Sequence, residues 1–304
     1  LVIMIILVVI LYALFAFTFS LGKVIVNFAE PLFAVGVRMI VGGAVLLGYI
    51  IIKHRKSCYP KVQHWFTYVQ LIIFSIFLPY TIRLWALQYI PTNKASLLLS
   101  TAPFFTAILS YFIHKERFTW LQIIGLFIGF FGMIPILMNE TPLEKASYGI
   151  GFLSIEELIM FIGVASMSYG LIIMQKLVKT HACPPYLANS VSMLCSGILA
   201  LGLSGIFEKE HIKGDIYSFI GVLILQVSIS NIICANLQAS LLKKYSTTFM
   251  AFASFLSPLF TSLYGFLLFG ETVTWHFFAS FTIVLCGLVL YQYNDSKNYT
   301  ALKN

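Results

Sequence analysis

Two arginines lie inside long apolar stretches of this chain of 304 residues. Arg38 follows Pro31 by seven residues, which is about 10 Å along a helix at ~1.5 Å per residue. Arg83 lies about as far from the end of its own apolar stretch, near Tyr89. A charged side chain inside a membrane costs roughly 2.5–3.5 kcal/mol on insertion scales, so such residues are candidates for function. Two guanidiniums at similar depth would hold a carboxylate or phosphate bidentately; the alternative is that they snorkel or brace backbone carbonyls.

Lys23 and Lys176 occupy matching positions at the ends of the predicted first and sixth helices. We expect them on opposite membrane faces, as gate or substrate contacts, and interface anchoring is the alternative. The remaining candidates for substrate binding are polar residues within apolar stretches: Tyr80, Gln88, Tyr169, Asn231 and Gln238. Such side chains also bond neighbouring helices, at roughly 0.6 kcal/mol each, so cavity lining and helix packing both stay open.

Pro103 and Pro258 each lie in the middle of an apolar stretch. A proline inside a helix removes one backbone hydrogen bond and leaves a carbonyl group without its partner. Discontinuous helices often supply such groups at substrate sites. We therefore predict a kink at each proline, with a gating hinge as the functional hypothesis.

Patterns typical of catalysis or metal binding are missing from the sequence. It contains no HExxH, no Walker motif and no GxGxxG in a soluble context, and its five cysteines form no CxxC pair. No Asp or Glu lies deep in an apolar stretch, since Glu156 and Glu157 fall near the outer end of the sixth. We therefore predict that the protein is not an enzyme and has no catalytic residue, metal or cofactor.

The composition indicates a membrane protein. Hydrophobic residues make up 60% of the chain and charged residues 10%, whereas soluble domains carry roughly 25% charged residues. A helix of about 20 apolar residues crosses the hydrocarbon core, because backbone groups in lipid must be satisfied internally. Ten stretches of about this length occur, at 1–21, 32–52, 66–88, 94–113, 120–138, 155–176, 187–207, 217–241, 248–269 and 275–293. The prediction is an all-α membrane protein with ten transmembrane helices in a lipid bilayer.

The charge distribution predicts the orientation. The net charge of +8 comes from residues in short connectors and not from a basic face, so we expect no nucleic-acid partner. With a cytoplasmic N-terminus, the cytoplasmic connectors and the tail hold twelve Lys and Arg, and the opposite connectors hold four. This bias places both termini in the cytoplasm, and we expect a multi-pass protein of the bacterial inner membrane. The sequence leaves open whether a homodimer forms.

The second half of the sequence repeats the first. A shift of 155 residues aligns identical residues without a gap: Thr92/Thr247, Pro103/Pro258, Phe105/Phe260, Thr106/Thr261, Glu116/Glu271, Thr119/Thr274, Trp120/Trp275 and Gly132/Gly287. A shift of 153 pairs Lys23 with Lys176. We predict one five-helix repeat at 1–138, a second at 155–293 and a cytoplasmic tail at 294–304. An odd number of helices inverts the second copy, an arrangement found in several transporter folds.

Both halves contain a proline-bearing helix, then a short connector with a glutamate, then a glycine-containing helix. The first half reads SLGKVIVNFAEPLFAVGVRMIVGGAVLL and ALQYIPTNKASLLLSTAPFFTAILSYFIHKERFTWLQIIGLFIGFFGMI, and the second reads FMAFASFLSPLFTSLYGFLLFGETVTWHFFASFTIVLCGLVL. These stretches resemble the EamA-type halves of the drug/metabolite transporter superfamily. The resemblance implies a ten-helix bundle with a central cavity and alternating access. One departure is Lys115, where the resembled pattern has the glycine that the second half keeps as Gly270.

These observations favour a secondary transporter, acting as an exporter, exchanger or facilitator. Its partner would be a small-molecule substrate, amino-acid-like or anionic. A non-transporting membrane assembly subunit is the alternative, although its helices would not need polar residues that converge on one axis. An intramembrane enzyme is less favoured, since its polar constellation is missing, and a channel would carry rings of charge. Substrate, direction and coupling ion do not follow from the sequence.

Overall fold

The computed structural model describes residues 2–53, 62–114, 119–132, 134–137, 149–150, 153–245, 247–254, 256–270, 273–283, 286–287 and 290. The predicted tail at 294–304 and most of the connector between the predicted repeats lie outside these residues, as do Lys115, Glu116 and Glu271.

The described residues are helical almost throughout. Up to residue 137 the α-helices are α1 Val2–Ile25, α2 Pro31–Lys53, α3 Trp65–Gln70, α4 Leu78–Ala86, α5 Thr92–Leu99, α6 Ala102–His114, α7 Trp120–Phe131 and α8 Ile134–Leu137. The later ones are α9 Ile155–Gln175, α10 Pro185–Phe207, α11 Ile216–Gln226, α12 Ala235–Leu241, α13 Thr247–Ala253 and α14 Leu256–Phe269, and residues 275–283 are also helical. Before α9, β1 Gly149–Ile150 pairs with β2 Leu153–Ser154 in a minimal antiparallel hairpin.

Seven helical stretches of the described part are long and apolar enough to cross a membrane. They are Ile6–Ile25, Pro31–Lys53, Trp65–Ala86, Lys94–Ile113, Ile155–Thr180, Pro185–Phe207 and Ile216–Leu241, and Leu256–Phe269 is apolar but shorter. A multi-pass helical membrane protein is therefore confirmed. The other predicted segments coincide with shorter or partly described helices, so the count of ten stays a prediction.

Two of the long spans change their helical type at their centres. A π-helical segment, Leu71–Phe77, joins α3 to α4, and another, Val227–Cys234, joins α11 to α12. A π-helix widens the turn and leaves some carbonyls in poorer bonds, and such segments often occur at functional sites. The two segments lie in the third helix of each predicted repeat.

Two other helices are interrupted just before a proline. α5 ends at Leu99 and α6 begins at Ala102, so Pro103 is the second residue of a new helix. The missing N–H of proline costs little at that position. The Thr101 hydroxyl donates to the Leu98 carbonyl at 2.7 Å, which satisfies an acceptor at the break. α13 ends at Ala253 and α14 begins at Leu256, so Pro258 is the third residue of a new helix. The structure thus places a break where we predicted a kink.

The two parts of the chain pack against each other through α2 and α10. A Cβ on Gly36 would lie 2.6 Å from Cγ of Leu201, and one on Gly197 would lie 2.7 Å from Cγ1 of Ile40. Both glycines therefore permit a close approach that a larger residue would prevent, as is common between helices in membranes. α1 packs against α14, and α9 packs against α4 and α6, so the first helix of each predicted repeat lies against helices of the other.

Candidate functional site

A large cavity lies between α1, α4, α5, α6, α9, α10, α12, α13 and α14. Its empty volume is about 1180 Å³, including the part open to solvent. Five methionines line it: Met160, Met167, Met174, Met193 and Met250. Methionine side chains are flexible and polarizable, so they adapt to ligands of irregular shape.

Met160, Met167 and Met174 form a stripe along α9, and each member is seven residues from the next. Seven residues are close to two helical turns, so the three side chains share one face over about 21 Å at ~1.5 Å per residue. The start of the stripe lies near α4, because a Cβ on Gly163 would be 2.9 Å from Cγ2 of Ile82. The stripe therefore marks the length of the cavity.

The two predicted arginines both lie over the ring of Tyr80. Cζ of Arg38 lies 4.6 Å from the centroid of the Tyr80 ring, and Cζ of Arg83 lies 4.6 Å from that centroid and 4.9 Å from that of Phe19. Such cation–π contacts reach about 2 kcal/mol when they are desolvated. Arg83, Tyr80 and Phe19 line the cavity, whereas Arg38 lies behind Tyr80 and has no exposed surface.

The two guanidiniums lack polar partners within the described residues. Nε, Nη1 and Nη2 of Arg38 and Nε and Nη2 of Arg83 are buried and donate no hydrogen bond to any described acceptor. Neither arginine forms an ion pair with an acidic side chain of the described part. A buried charge without a partner is strongly destabilising, so an anionic group such as a carboxylate is expected beside Arg83. The geometry thus provides a cationic and aromatic end to the cavity.

The end of the cavity near α12 is polar but uncharged. Tyr12 donates its hydroxyl proton to the carbonyl of Met250, and Gln238 bonds the Tyr12 oxygen. Nδ2 of Asn189 donates to Oδ1 of Asn236 at 3.1 Å. Tyr12, Asn189 and Gln238 all line the cavity. This end can therefore donate and accept hydrogen bonds without adding charge.

The other predicted polar residues lie outside the cavity lining. Asn231 is 1% exposed, and its Nδ2 lies 3.1 Å from Sδ of Met39. The hydroxyl of Tyr169 accepts a bond from Nε2 of Gln70 at 2.7 Å, so it bonds one helix to another. Gln88 lies in the turn after α4, where it is half-buried. The breaks before Pro103 and Pro258 adjoin Ala102 and Ser257 of the lining.

Lys23 bridges α1 to the turn after α4. Its Nζ donates to the carbonyl of Leu87 at 2.6 Å and to that of Ile90 at 3.3 Å. The corresponding contacts in the second half belong to Gln175, because its Nε2 donates to the carbonyls of Leu242 at 3.4 Å and Tyr245 at 3.0 Å. Both acceptors follow the first pair by 155 residues.

Lys176, the residue that the sequence paired with Lys23, is exposed and begins the π-helical segment Lys176–Thr180. The contacts of Gln175 thus take the place that the sequence assigned to Lys176. A shift of 152 residues, not 153, relates Lys23 to Gln175. The two halves therefore share a side chain that donates to these backbone carbonyls, although the donor is a lysine in the first half and a glutamine in the second.

A buried ion pair near the start of α9 was not predicted. Nζ of Lys94 lies 2.6 Å from Oε1 of Glu157, and these side chains are 2% and 1% exposed. Oε2 of Glu157 accepts a bond from the N–H of Ser154, so the same carboxylate caps α9. Glu156 is also buried, at 3% exposure. The only sequence signal was the capping pattern Ser154–x–x–Glu157, which predicts a helix start but no ion pair.

The chain is similar to known transporters. The model of the EamA-like transporter family matches residues 2–138 and 154–293. An S-adenosylmethionine/S-adenosylhomocysteine transporter of Chlamydia muridarum is 30% identical over 283 residues, covering 90% of this chain and 87% of the relative. A transporter of the same description from Chlamydia trachomatis serovar L2 is 28% identical, over 90% of this chain and 85% of its own.

A more distant relative is also described as a transporter, and a solved structure shares the fold. The uncharacterized transporter YoaV of Bacillus subtilis is 21% identical, over 93% of this chain and 94% of its own. A solved protein crystal structure superposes with a TM-score of 0.65 at 14% identity, over 95% of this chain and 94% of the other, and so shares the fold. The family and these named relatives are transporters and not enzymes, as the sequence predicted, and this chain is a transporter of small metabolites. The chain belongs to the EamA-like transporter family.

Proposed function

We propose that this protein carries S-adenosylmethionine and S-adenosylhomocysteine across a membrane as a secondary transporter. The main support is the buried guanidinium of Arg83, which faces the cavity with Nε and Nη2 unpartnered among the described residues. Both solutes carry an amino-acid carboxylate that a guanidinium binds bidentately. The chlamydial relatives, which are named for these solutes, align over 90% of the chain.

The rest of the cavity suits the remaining parts of these solutes. The sulfonium of S-adenosylmethionine is a cation that aromatic faces and polarizable sulfur atoms accommodate. The rings of Phe15 and Tyr12 and the methionine stripe of α9 line the cavity beyond Arg83. A sulfonium there would be separated from the two guanidiniums. Arg38 raises the positive potential behind Tyr80 without direct access to the solute.

Ten helices in two inverted repeats, 1–138 and 155–293, would expose this cavity alternately to each side. The matched π-helical segments and the matched breaks before Pro103 and Pro258 support the repeat, and each proline break would serve as a hinge. The excess of Lys and Arg supports cytoplasmic termini in a bacterial inner membrane. An assembly subunit would have no use for an unpartnered arginine in a cavity.

Lys23 and Gln175 would act as latches at opposite ends of the cavity. Lys23 ties α1 to Leu87 and Ile90 near the Arg83 end. Gln175 ties α9 to Leu242 and Tyr245 near the Gln238 end. Release of one latch would open one end while the other stays closed. Alternating access requires this kind of reciprocal closure.

The test is uptake of labelled S-adenosylmethionine into proteoliposomes loaded with S-adenosylhomocysteine. Arg83→Gln should lower uptake about 10- to 150-fold, because a hydrogen bond to a charged group contributes about 1.5–3 kcal/mol. Arg83→Lys should retain part of the activity, since it keeps the charge but not the bidentate geometry. The matched control is Lys179→Gln, an exposed cation outside the cavity.

Two results would contradict the proposal. The first is that the folded wild-type protein moves another metabolite but moves neither S-adenosylmethionine nor S-adenosylhomocysteine. Alternatively, Arg83→Gln could transport S-adenosylmethionine as fast as Lys179→Gln does, which would remove the role of the guanidinium.

A further inference from the structure

Arg83 and Gln238 occupy corresponding places in the two halves. They are 155 residues apart in the sequence, each lies in the helix that follows a π-helical segment, and both line the cavity. α9 runs between them, since Gly163 contacts Ile82 beside Arg83 and Gln175 bonds Leu242 after Gln238. The cavity therefore has a cationic end and a carboxamide end.

The hydrogen bonds of Tyr12 determine how Gln238 faces the cavity. The hydroxyl proton of Tyr12 is donated to the carbonyl of Met250, so the Tyr12 oxygen can only accept from Gln238. That bond uses one N–H of the carboxamide. One N–H and the carbonyl Oε1 of Gln238 are left for a ligand. A glutamine that presents one donor and one acceptor matches the edge of adenine, which offers an amino donor beside a ring-nitrogen acceptor.

We infer that Gln238 recognises the adenine base of the solute while Arg83 binds its carboxylate. The solute then lies lengthwise along the methionine stripe, with its sulfur between the two ends. This inference rests on the proposed function and adds to it the residue that selects the base. Recognition at both ends of the cavity would hold the solute in one orientation.

The test measures base preference in the purified protein. Labelled S-adenosylhomocysteine is displaced by S-inosylhomocysteine, in which an oxo acceptor replaces the amino donor of adenine. The wild type should prefer the adenosyl compound at least about fivefold, and Gln238→Met should reduce this preference to near unity. Methionine has a similar volume and is already common in the cavity. Gln70→Leu, an amide change outside the cavity lining, should keep the wild-type preference.

A second measurement separates the two ends. Arg83→Gln should lower the preference for S-adenosylhomocysteine over methylthioadenosine, which lacks the carboxylate, and leave the preference for adenine unchanged. Gln238→Met should lower the preference for adenine and leave the preference for S-adenosylhomocysteine over methylthioadenosine unchanged. Thermal unfolding in detergent identifies a misfolded variant, and Gln238→Leu then replaces Gln238→Met.

The outcomes distinguish this inference from the proposed function. If the wild type binds no S-adenosylhomocysteine, the proposed function itself fails. If the wild type binds it but shows no base preference, or if folded Gln238 variants keep that preference, the inference is overturned while the proposed function stands.

Discussion

Removal of the Lys23 latch should open one end of the cavity and leave the other unchanged. In Lys23→Met the charge-assisted bond to the Leu87 carbonyl at 2.6 Å and the longer bond to Ile90 at 3.3 Å are lost. A hydrogen bond from a charged donor contributes about 1.5–3 kcal/mol, and the longer bond adds less. The state closed at this end should therefore lose a factor of about 10 to 150 in population. Methionine keeps the apolar stem and its packing.

The assay is cysteine labelling in oriented vesicles. Cys58, Cys183, Cys195, Cys234 and Cys286 are replaced, and Met167→Cys places one thiol in the cavity lining. A membrane-impermeant maleimide is then applied to each face separately. Lys23→Met should raise the labelling rate about tenfold or more from its own face only.

The mirror-image variant and a control complete this test. Gln175→Met removes neutral bonds of 3.0 and 3.4 Å, worth about 0.5–1.5 kcal/mol each, so labelling from the opposite face should rise by a smaller factor. Lys176→Met alters an exposed side chain and should change neither rate. Equal acceleration from both faces in Lys23→Met, or none, would refute the latch.

Three further predictions concern packing and charge. Lys94→Met should lower stability in detergent by about 3–5 kcal/mol, because the carboxylate of Glu157 then remains buried without the ammonium of Lys94. The double variant with Glu157→Gln should recover most of this loss in denaturant unfolding. Arg38→Met should raise the melting temperature of the protein without solute, since it removes a buried charge that has no hydrogen-bond partner among the described residues, while an unchanged or lower value would show that the contact of Arg38 with Tyr80 offsets the cost of burial. Gly197→Leu should destabilise the contact of α10 with α2, because its Cβ already falls 2.7 Å from Ile40, whereas Gly202→Leu, which has open space around it, should be tolerated in the same melting assay.

The sequence predicted the class of protein through physical constraints that do not depend on detailed packing. Apolar stretches of sufficient length must be helices in lipid, so the helix Pro31–Lys53 could be predicted from the apolar stretch at 32–52. The transporter family was recognisable from the repeated proline and glycine positions. Arg38 and Arg83 stood out because charge in a membrane is rare.

The partners of these residues were not predictable. Tyr80 lies between both guanidiniums because of the path of α2 relative to α4, and nothing in the sequence relates these helices. Lys94 and Glu157 looked like ordinary residues at helix ends, yet they form a buried pair. Tyr169 and Asn231 were candidates for either cavity lining or helix packing, and the rotation of their helices turns them towards Gln70 and Met39.

Lys23 and Gln175 illustrate what the sequence could predict and what only the tertiary structure shows. A sequence shift paired Lys23 with Lys176 because identical residues dominate such a comparison. The backbone carbonyls that Gln175 reaches carry no sequence signature, so only the packed structure identifies it as the counterpart of Lys23. The sequence thus determined that the protein lies in lipid, which stretches form helices and which pattern is repeated, since these depend on composition and spacing. Tertiary structure decided which polar groups meet, because a rotation of 100° per residue about a helix axis separates a cavity wall from a helix interface.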